Sequence, residues 1–144
     1  MATLYHNITG KVATAVATII DTYIDATQSA LAIYARASMT ELVAPRVEVL
    51  CSAEVEVEGA TVTGNYIAEV RVRVVSNAKD STGATHDARV AAVGDVLFRD
   101  DFASLEAVSD FTMQQWFPRR VSESVEGSEF VTEFTCDARC WPSQ

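Results

Sequence analysis

The sequence predicts an α+β fold: an antiparallel or mixed β-sheet of about four strands packed by two α-helices, in the order helix, hairpin, helix, hairpin. Three observations carry that expectation. Between Pro45 and Ser76, Val47, Val49, Cys51, Ala53, Val55 and Val57 fall on one parity against Glu48, Leu50, Ser52, Glu54, Glu56 and Glu58, and Tyr66, Ala68, Val70, Val72 and Val74 alternate with Ile67, Glu69, Arg71 and Arg73. Period-two alternation sets one face of a strand against a core and the other toward water or a partner. Apolar residues at helical spacing come before this hairpin, and a second helical segment with another alternating run comes after it.

In chain order, Val12, Val16, Ile19, Ile20, Tyr23 and Ile24 form an apolar stripe opposite Asp21, Asp25 and Gln28, which predicts a helix over residues 3–28, with Asn7 or Thr9 as its cap. Residues 29–44 leave two readings open. Leu31, Ile33 and Ala35 alternate as in a strand, Ala30, Leu31, Tyr34 and Ala35 fit a helix equally well, and Pro45 tends to end a helix before it. Strands over 46–57 and 64–76 are joined through Gly59 and Gly64, and the link is too short for a parallel crossover, so they pair antiparallel. Residues 77–85 read as a polar loop whose last residue, Thr85, caps the second helix; Asp87 suits the dipole of its first turn.

Val90, Val93, Val96 and Leu97 supply that helix with its stripe, Gly94 weakens it by about 1 kcal/mol relative to Ala, and a further turn runs through Phe102 and Leu105. Phe111, Met113, Trp116 and Phe117 precede Pro118, which makes their strand an edge or interrupts it. After a turn at Glu126-Gly127-Ser128, Phe130, Thr132, Phe134, Cys136, Ala138 and Cys140 share one parity. No linker long enough to separate domains occurs, so residues 1–144 are expected to form a single domain.

Composition narrows the function. With 49% hydrophobic and 22% charged residues the chain is globular in type, and no apolar run approaches the ~20 residues of a membrane span. Val12 to Ile20 is broken by Thr14 and Thr18 and lacks the flanks of a signal peptide, so export is not expected. The net charge of −9 argues against a nucleic-acid grip, although it suits a passage through which DNA must move without sticking. Cys51, Cys136 and Cys140 are an odd set and read as reduced, buried thiols. On a strand, Cys136 and Cys140 lie about 13 Å apart, too far for a disulfide; on a turn they could meet.

Residue patterns for catalysis are sparse. The sequence holds no phosphate loop, no dinucleotide-binding glycine motif, no His-Glu-x-x-His and no nucleophile elbow. Of the two histidines, His6 and His86, the second stands beside Asp87 at the head of a helix. A general base oriented by a carboxylate is one reading; a ring spent on local hydrogen bonds is the plainer one, because no nucleophile is placed beside it. Glu48, Glu54, Glu56 and Glu58 share a strand face with Arg71 and Arg73 on the matching face of the next strand. Carboxylates so arranged can do acid–base work or hold a hard cation, can be a solvated face, or can set register between copies in an assembly. Trp116, Phe117, Arg119 and Arg120 have the mix of interfaces, and equally of a core Trp beside surface arginines. No catalytic, metal or cofactor site is predicted, and no enzymatic activity.

From Pro45 onward the segments Pro45-Arg46-Val47-Glu48-Val49, Val70-Arg71-Val72-Arg73-Val74, His86-Asp87-Ala88-Arg89-Val90-Ala91-Ala92-Val93-Gly94-Asp95-Val96-Leu97 and Ser124-Val125-Glu126-Gly127 follow one another after an N-terminal helix. This arrangement, covering most of the chain, resembles the tail terminator or tail-completion proteins of the neck of tailed bacteriophages. The resemblance implies a virion structural protein, made in the host cytoplasm and forming a ring, commonly a hexamer, where tail meets head. Its partners would be copies of itself, tail-tube and neck or connector proteins, and passing DNA without sequence-specific binding, with no membrane. Glu48, Glu54, Glu56, Glu58, Arg71 and Arg73 would then form an inter-subunit or lumen face, acidic enough to repel DNA. A head–tail adaptor or stopper, or a small cytoplasmic ligand-binding or enzymatic domain with His86 or Tyr66 pointing into an apolar cavity, are the alternatives.

Overall fold

The computed structural model describes residues 7–28, 31–35, 44–58, 61–79, 82–105 and 111–142, the side chains of 56–58, 61–64 and 142 excepted. Its elements are α1 (Ile8–Tyr23), β1 (Ala32–Tyr34), β2 (Arg46–Glu58), β3 (Thr61–Asn77), α2 (Gly83–Leu97), β4 (Phe111–Glu126) and β5 (Glu129–Pro142), with 3-10 turns at Ala26–Gln28 and Phe102–Ser104. The strands form one five-stranded sheet in the order β1-β2-β3-β5-β4. The four long strands pair antiparallel, and β1 adds to the β2 edge in parallel, pairing only with Arg46, Val47 and Glu48. The expected α+β fold is therefore observed, with one strand more than the four anticipated. That strand comes from the segment whose sequence fitted helix and strand alike; 29–30 and 36–43 lie outside the described residues.

Alternation works as the periodicity requires. Val47 and Val49 of β2, Ala68, Val70, Val72 and Val74 of β3, and Phe134, Cys136, Ala138 and Cys140 of β5 are buried together with the apolar faces of α1 and α2. Val12, Val16 and Ile20 of α1 are fully buried, one residue per turn along a single stripe. Leu97, Val93 and Val96 do the same for α2, and Phe102 closes the core beneath Trp116, whose ring stacks on it at 4.0 Å. Each fully buried side chain of this size contributes roughly 1.5–3 kcal/mol, so the helix-covered face of the sheet holds most of the apolar stabilisation.

Several boundaries differ from the sequence expectation. The described part of α1 ends at Tyr23, because Ile24 turns extended, and residues 1–6 lie outside the described residues. Asn7 occupies the cap position in a left-handed conformation (φ 50°) without a side-chain cap bond, and Thr9 lies inside the helix. For α2 the cap is Thr82, one turn before the expected Thr85: its hydroxyl oxygen accepts from the Thr85 N–H at 3.1 Å. Both threonines satisfy the local capping rule, and the earlier one is used, so that α2 begins at Gly83.

On β4, extra residues at two places shift the register, between Met113 and Gln115 and between Pro118 and Arg120. Each is a β-bulge, which inserts one residue and switches the face of those that follow. Trp116 thereby joins Phe111 and Met113 on the helix-covered face despite its odd spacing. Pro118 sits in the edge strand, where a missing N–H is tolerated. Gly127 makes the β4–β5 turn at φ +61°, a conformation that suits glycine. At Gly94 a Cβ would stand 3.3 Å from the Phe134 ring, so glycine here lets α2 approach β5 closely.

Candidate functional site

Two clusters of polar side chains occupy positions where sheets commonly carry function. The first lies on the sheet face opposite the described helices. Arg46, Glu48, Arg71 and Arg73 point there, with Glu69, Glu133 and Asp137 in register beside them. Glu48 is not a solvated face residue: its side chain is 5% exposed and is gripped by Arg46 Nε at 2.8 Å and Arg73 Nη1 at 3.5 Å. Arg46 also reaches Glu129 at 2.9 Å, and Arg73 reaches Glu126 at 2.6 Å and Glu133 at 3.6 Å. Burial works against the Arg46 charge, but the hydrogen bonds that Arg46 donates to Glu48 and Glu129 outweigh it and hold the guanidinium protonated more firmly than usual.

This network stitches β2, β3 and the β4–β5 hairpin together beside the buried Val75 and Val131. A second set, Arg119 with Asp137 at 2.8 Å and Glu69 at 2.9 Å, ties β4 to β5 and β3 near the rim; Asp137, then Glu69, keeps Arg119 charged. The structure thus brings Glu48 and Arg73 together, as cross-strand partners within one subunit. Arg71 is exposed opposite Leu50 and Thr135, and Glu54 is exposed opposite Ile67, so these two do not join that network. Glu56 and Glu58 lie on β2, but their side chains are outside the described residues. Sequence reasoning missed Arg46, Glu126 and Glu129, whose only signal was opposite charge at the two ends of neighbouring hairpins.

The second cluster surrounds His86. Its ring is buried, reaching from the first turns of α2 to both central strands: Nδ1 lies 2.7 Å from the Ser76 hydroxyl on β3, and Nε2 lies 2.9 Å from the Thr132 hydroxyl on β5. Arg89 donates to the same Ser76 oxygen at 2.9 Å. The Phe130 ring stands 5.8 Å away. Burial lowers the His86 proton affinity and Arg89 adds to that, while Asp87 and Glu123 oppose it. The ring is thus spent on hydrogen bonds, as the plainer sequence reading held, although to distant strands and not locally.

A Ser–His contact invites a nucleophilic reading, which the geometry does not support. Ser76 is wholly buried, its oxygen already receives the Arg89 N–H, and the second ring nitrogen meets a hydroxyl where a triad would place an orienting carboxylate. A groove of about 360 Å³ runs alongside, lined by Gly83, Asp87, Glu123 and Phe130 among others. Tyr66, the other candidate for an inward polar group, packs edge-to-face on Phe111 at 5.6 Å. Among the described residues no group of three or more His, Cys, Asp or Glu side chains is placed to hold a metal ion, and no helix is long and apolar enough to cross a membrane. The three cysteines are free thiols on the helix-covered face, and burial pushes Cys51 and Cys136 up to about 12 and Cys140 to about 11.

The class these features define is an α+β protein with two described helices on one face of a five-stranded mixed sheet and ion-paired side chains on the other. No protein-family model matches the chain, and no curated protein matches it. Among solved structures, a chain from the virion of a native gene transfer agent particle has the same fold: the TM-score is 0.70 at 19% identity, over 94% of this chain and 98% of that one.

Proposed function

We propose that the protein is a structural component of a phage-like virion, and more finely a tail terminator, a ring of identical copies where tail joins neck. The observation that carries the reading is the near end-to-end likeness to a chain of a gene transfer agent virion, with no large insertion on either side. The sheet supports it on physical grounds. Its four long strands alternate in direction, so β4 and the stretch of the β2 edge beyond Glu48, with which β1 does not pair, run opposite ways. A copy related by rotation about an axis along the strands can set its β2 antiparallel to the β4 of its neighbour, and such head-to-tail contacts close into rings. Val55 is 44% exposed on β2, and Val121 and Val125 are 51% and 67% exposed on β4, on the same face of the sheet. Of these, Val55 and Val121 stand level with the stretch of β2 beyond Glu48 and are apolar groups that the junction would cover.

In such a ring the face without described helices turns to the lumen. Exposed Glu54 and Arg71 belong to that surface, whereas Glu48 and Arg73 serve the subunit itself. Because Glu48, Glu69, Glu133 and Asp137 on this face are ion-paired with Arg46, Arg73 and Arg119, we expect a lumen of low adhesion toward DNA and not a strongly repelling one. Light scattering of the purified chain and cryo-electron microscopy of particles test the reading. Closed rings at one end of the tail, with β2–β4 junctions, are expected. A chain that stays monomeric at every concentration and is absent from purified particles would overturn it.

A further inference from the structure

We propose that His86 is a pH-sensitive latch that holds the first turns of α2 on the sheet when neutral and releases them when protonated. The geometry points to this because the ring is the polar bolt between three elements: Nδ1 on Ser76 of β3, Nε2 on Thr132 of β5, and the imidazole itself on α2. Ser76 and Thr132 are 0% and 1% exposed, so neither hydroxyl has water to turn to.

A neutral imidazole has one donor and one acceptor nitrogen. With Arg89 donating to Ser76 Oγ, the Ser76 O–H is free to donate to Nδ1, and Nε2–H donates to Thr132. Whichever tautomer is present, one hydroxyl proton rests on a ring nitrogen. Protonation makes both nitrogens donors, so that hydroxyl proton loses the ring as its acceptor at a site with almost no exposure, although His86 and Thr132 border the groove. The added charge also meets the Arg89 guanidinium, which already donates to the same Ser76 oxygen.

The charged groups facing the ring are Asp87 and Arg89 on α2 and Glu123 on β4; β3 and β5 face it with Ser76, Thr132 and Phe130, which are uncharged. Asp87 and Glu123 favour the imidazolium even with the ring in place, but burial, with Arg89, outweighs them, and that opposition is relieved only after the ring has left the hydroxyls. The proton is therefore taken up on release. The latch is fully held above the ordinary imidazole value of about 6.5 and is weakened as pH falls below it. Release would bare Phe130, Thr132 and the groove beside β4, independently of whether copies form a ring.

Hydrogen exchange of the full chain, read by mass spectrometry between pH 7.5 and 5 and corrected for intrinsic rates, tests this. Protection of residues 83–90 is expected to fall by up to tenfold per pH unit below the window's upper edge, while β3 and β5 keep theirs. In His86→Gln, which carries an amide donor and acceptor at every pH, this dependence should vanish. An Asp87→Asn/Glu123→Gln variant should keep it. The His86 imidazole resonance in the unmodified chain should titrate over the same interval. Protection of 83–90 that stays flat through that titration, falls together with the whole sheet, or falls equally in His86→Gln would overturn the latch.

Discussion

Replacing Glu48 by Gln removes one charge from the centre of the ion-paired face and keeps the side-chain shape. The carboxylate is 5% exposed and receives two guanidinium groups, at 2.8 Å and 3.5 Å. Breaking a buried pair by removing one partner costs about 3–5 kcal/mol, because the other charge is left uncompensated. Here neither arginine is left alone: Arg46 keeps Glu129, and Arg73, with a side chain 25% exposed, keeps Glu126 and Glu133. The loss should therefore sit at or just below the lower end, about 2–3 kcal/mol. Urea unfolding should show a lower midpoint at an unchanged slope, and the melting temperature should drop by roughly 5–10 °C. A double-mutant cycle with Arg46→Gln should return a coupling of about 1–3 kcal/mol. A Glu48→Gln loss under about 0.5 kcal/mol, the range of an exposed pair, would refute the view that this network holds the two hairpins together.

Four further outcomes are expected. Thiols held near 11 to 12 carry almost no thiolate, so the native chain at pH 8 should react with a disulfide reagent at least ~100-fold more slowly than the urea-unfolded chain; prompt native labelling would contradict the burial. The same upward shifts mean that the unfolded chain loses protons first as pH rises past the ordinary thiol value of about 8.5, so stability should decline in alkali. Trp116→Phe keeps the stack on Phe102 but loses the indole N–H bond to the Leu97 carbonyl at 2.9 Å, and should cost about 1 kcal/mol by urea unfolding. Val121→Lys, at a residue 51% exposed and level with Val49 of β2, should leave stability within about 0.5 kcal/mol and yet abolish ring formation in light scattering; rings of unchanged mass would refute the β2–β4 junction.

The fold was legible where one face of each strand is uniformly apolar. In β2, β3 and β5 the apolar parity of Val47 and Val49, Val70 to Val74 and Phe134 to Cys140 is buried throughout, while Glu48 and Thr135 on the opposite parity are buried as well. β4 was harder, because its two bulges reset the alternation and hide Trp116 on the core side. β1 was ambiguous because three residues cannot establish a period. The polar clusters were only half visible. Glu48 and Arg73 lay on facing parities and did pair, but nothing in the local sequence says that Arg46 also turns onto Glu48 and out to Glu129, 83 residues away. His86 carried no signal of burial, since its partners Ser76 and Thr132 come from strands brought under the helix only by the tertiary arrangement.

The register shift at Pro118 to Arg120 has a consequence for the border of the sheet. It divides β4 into two shorter stretches that do not continue each other in step, and it places at their boundary a residue with no amide hydrogen to offer. A flat foreign strand laid along this border would lose its pairing halfway. Indiscriminate stacking into fibres is discouraged by that interruption.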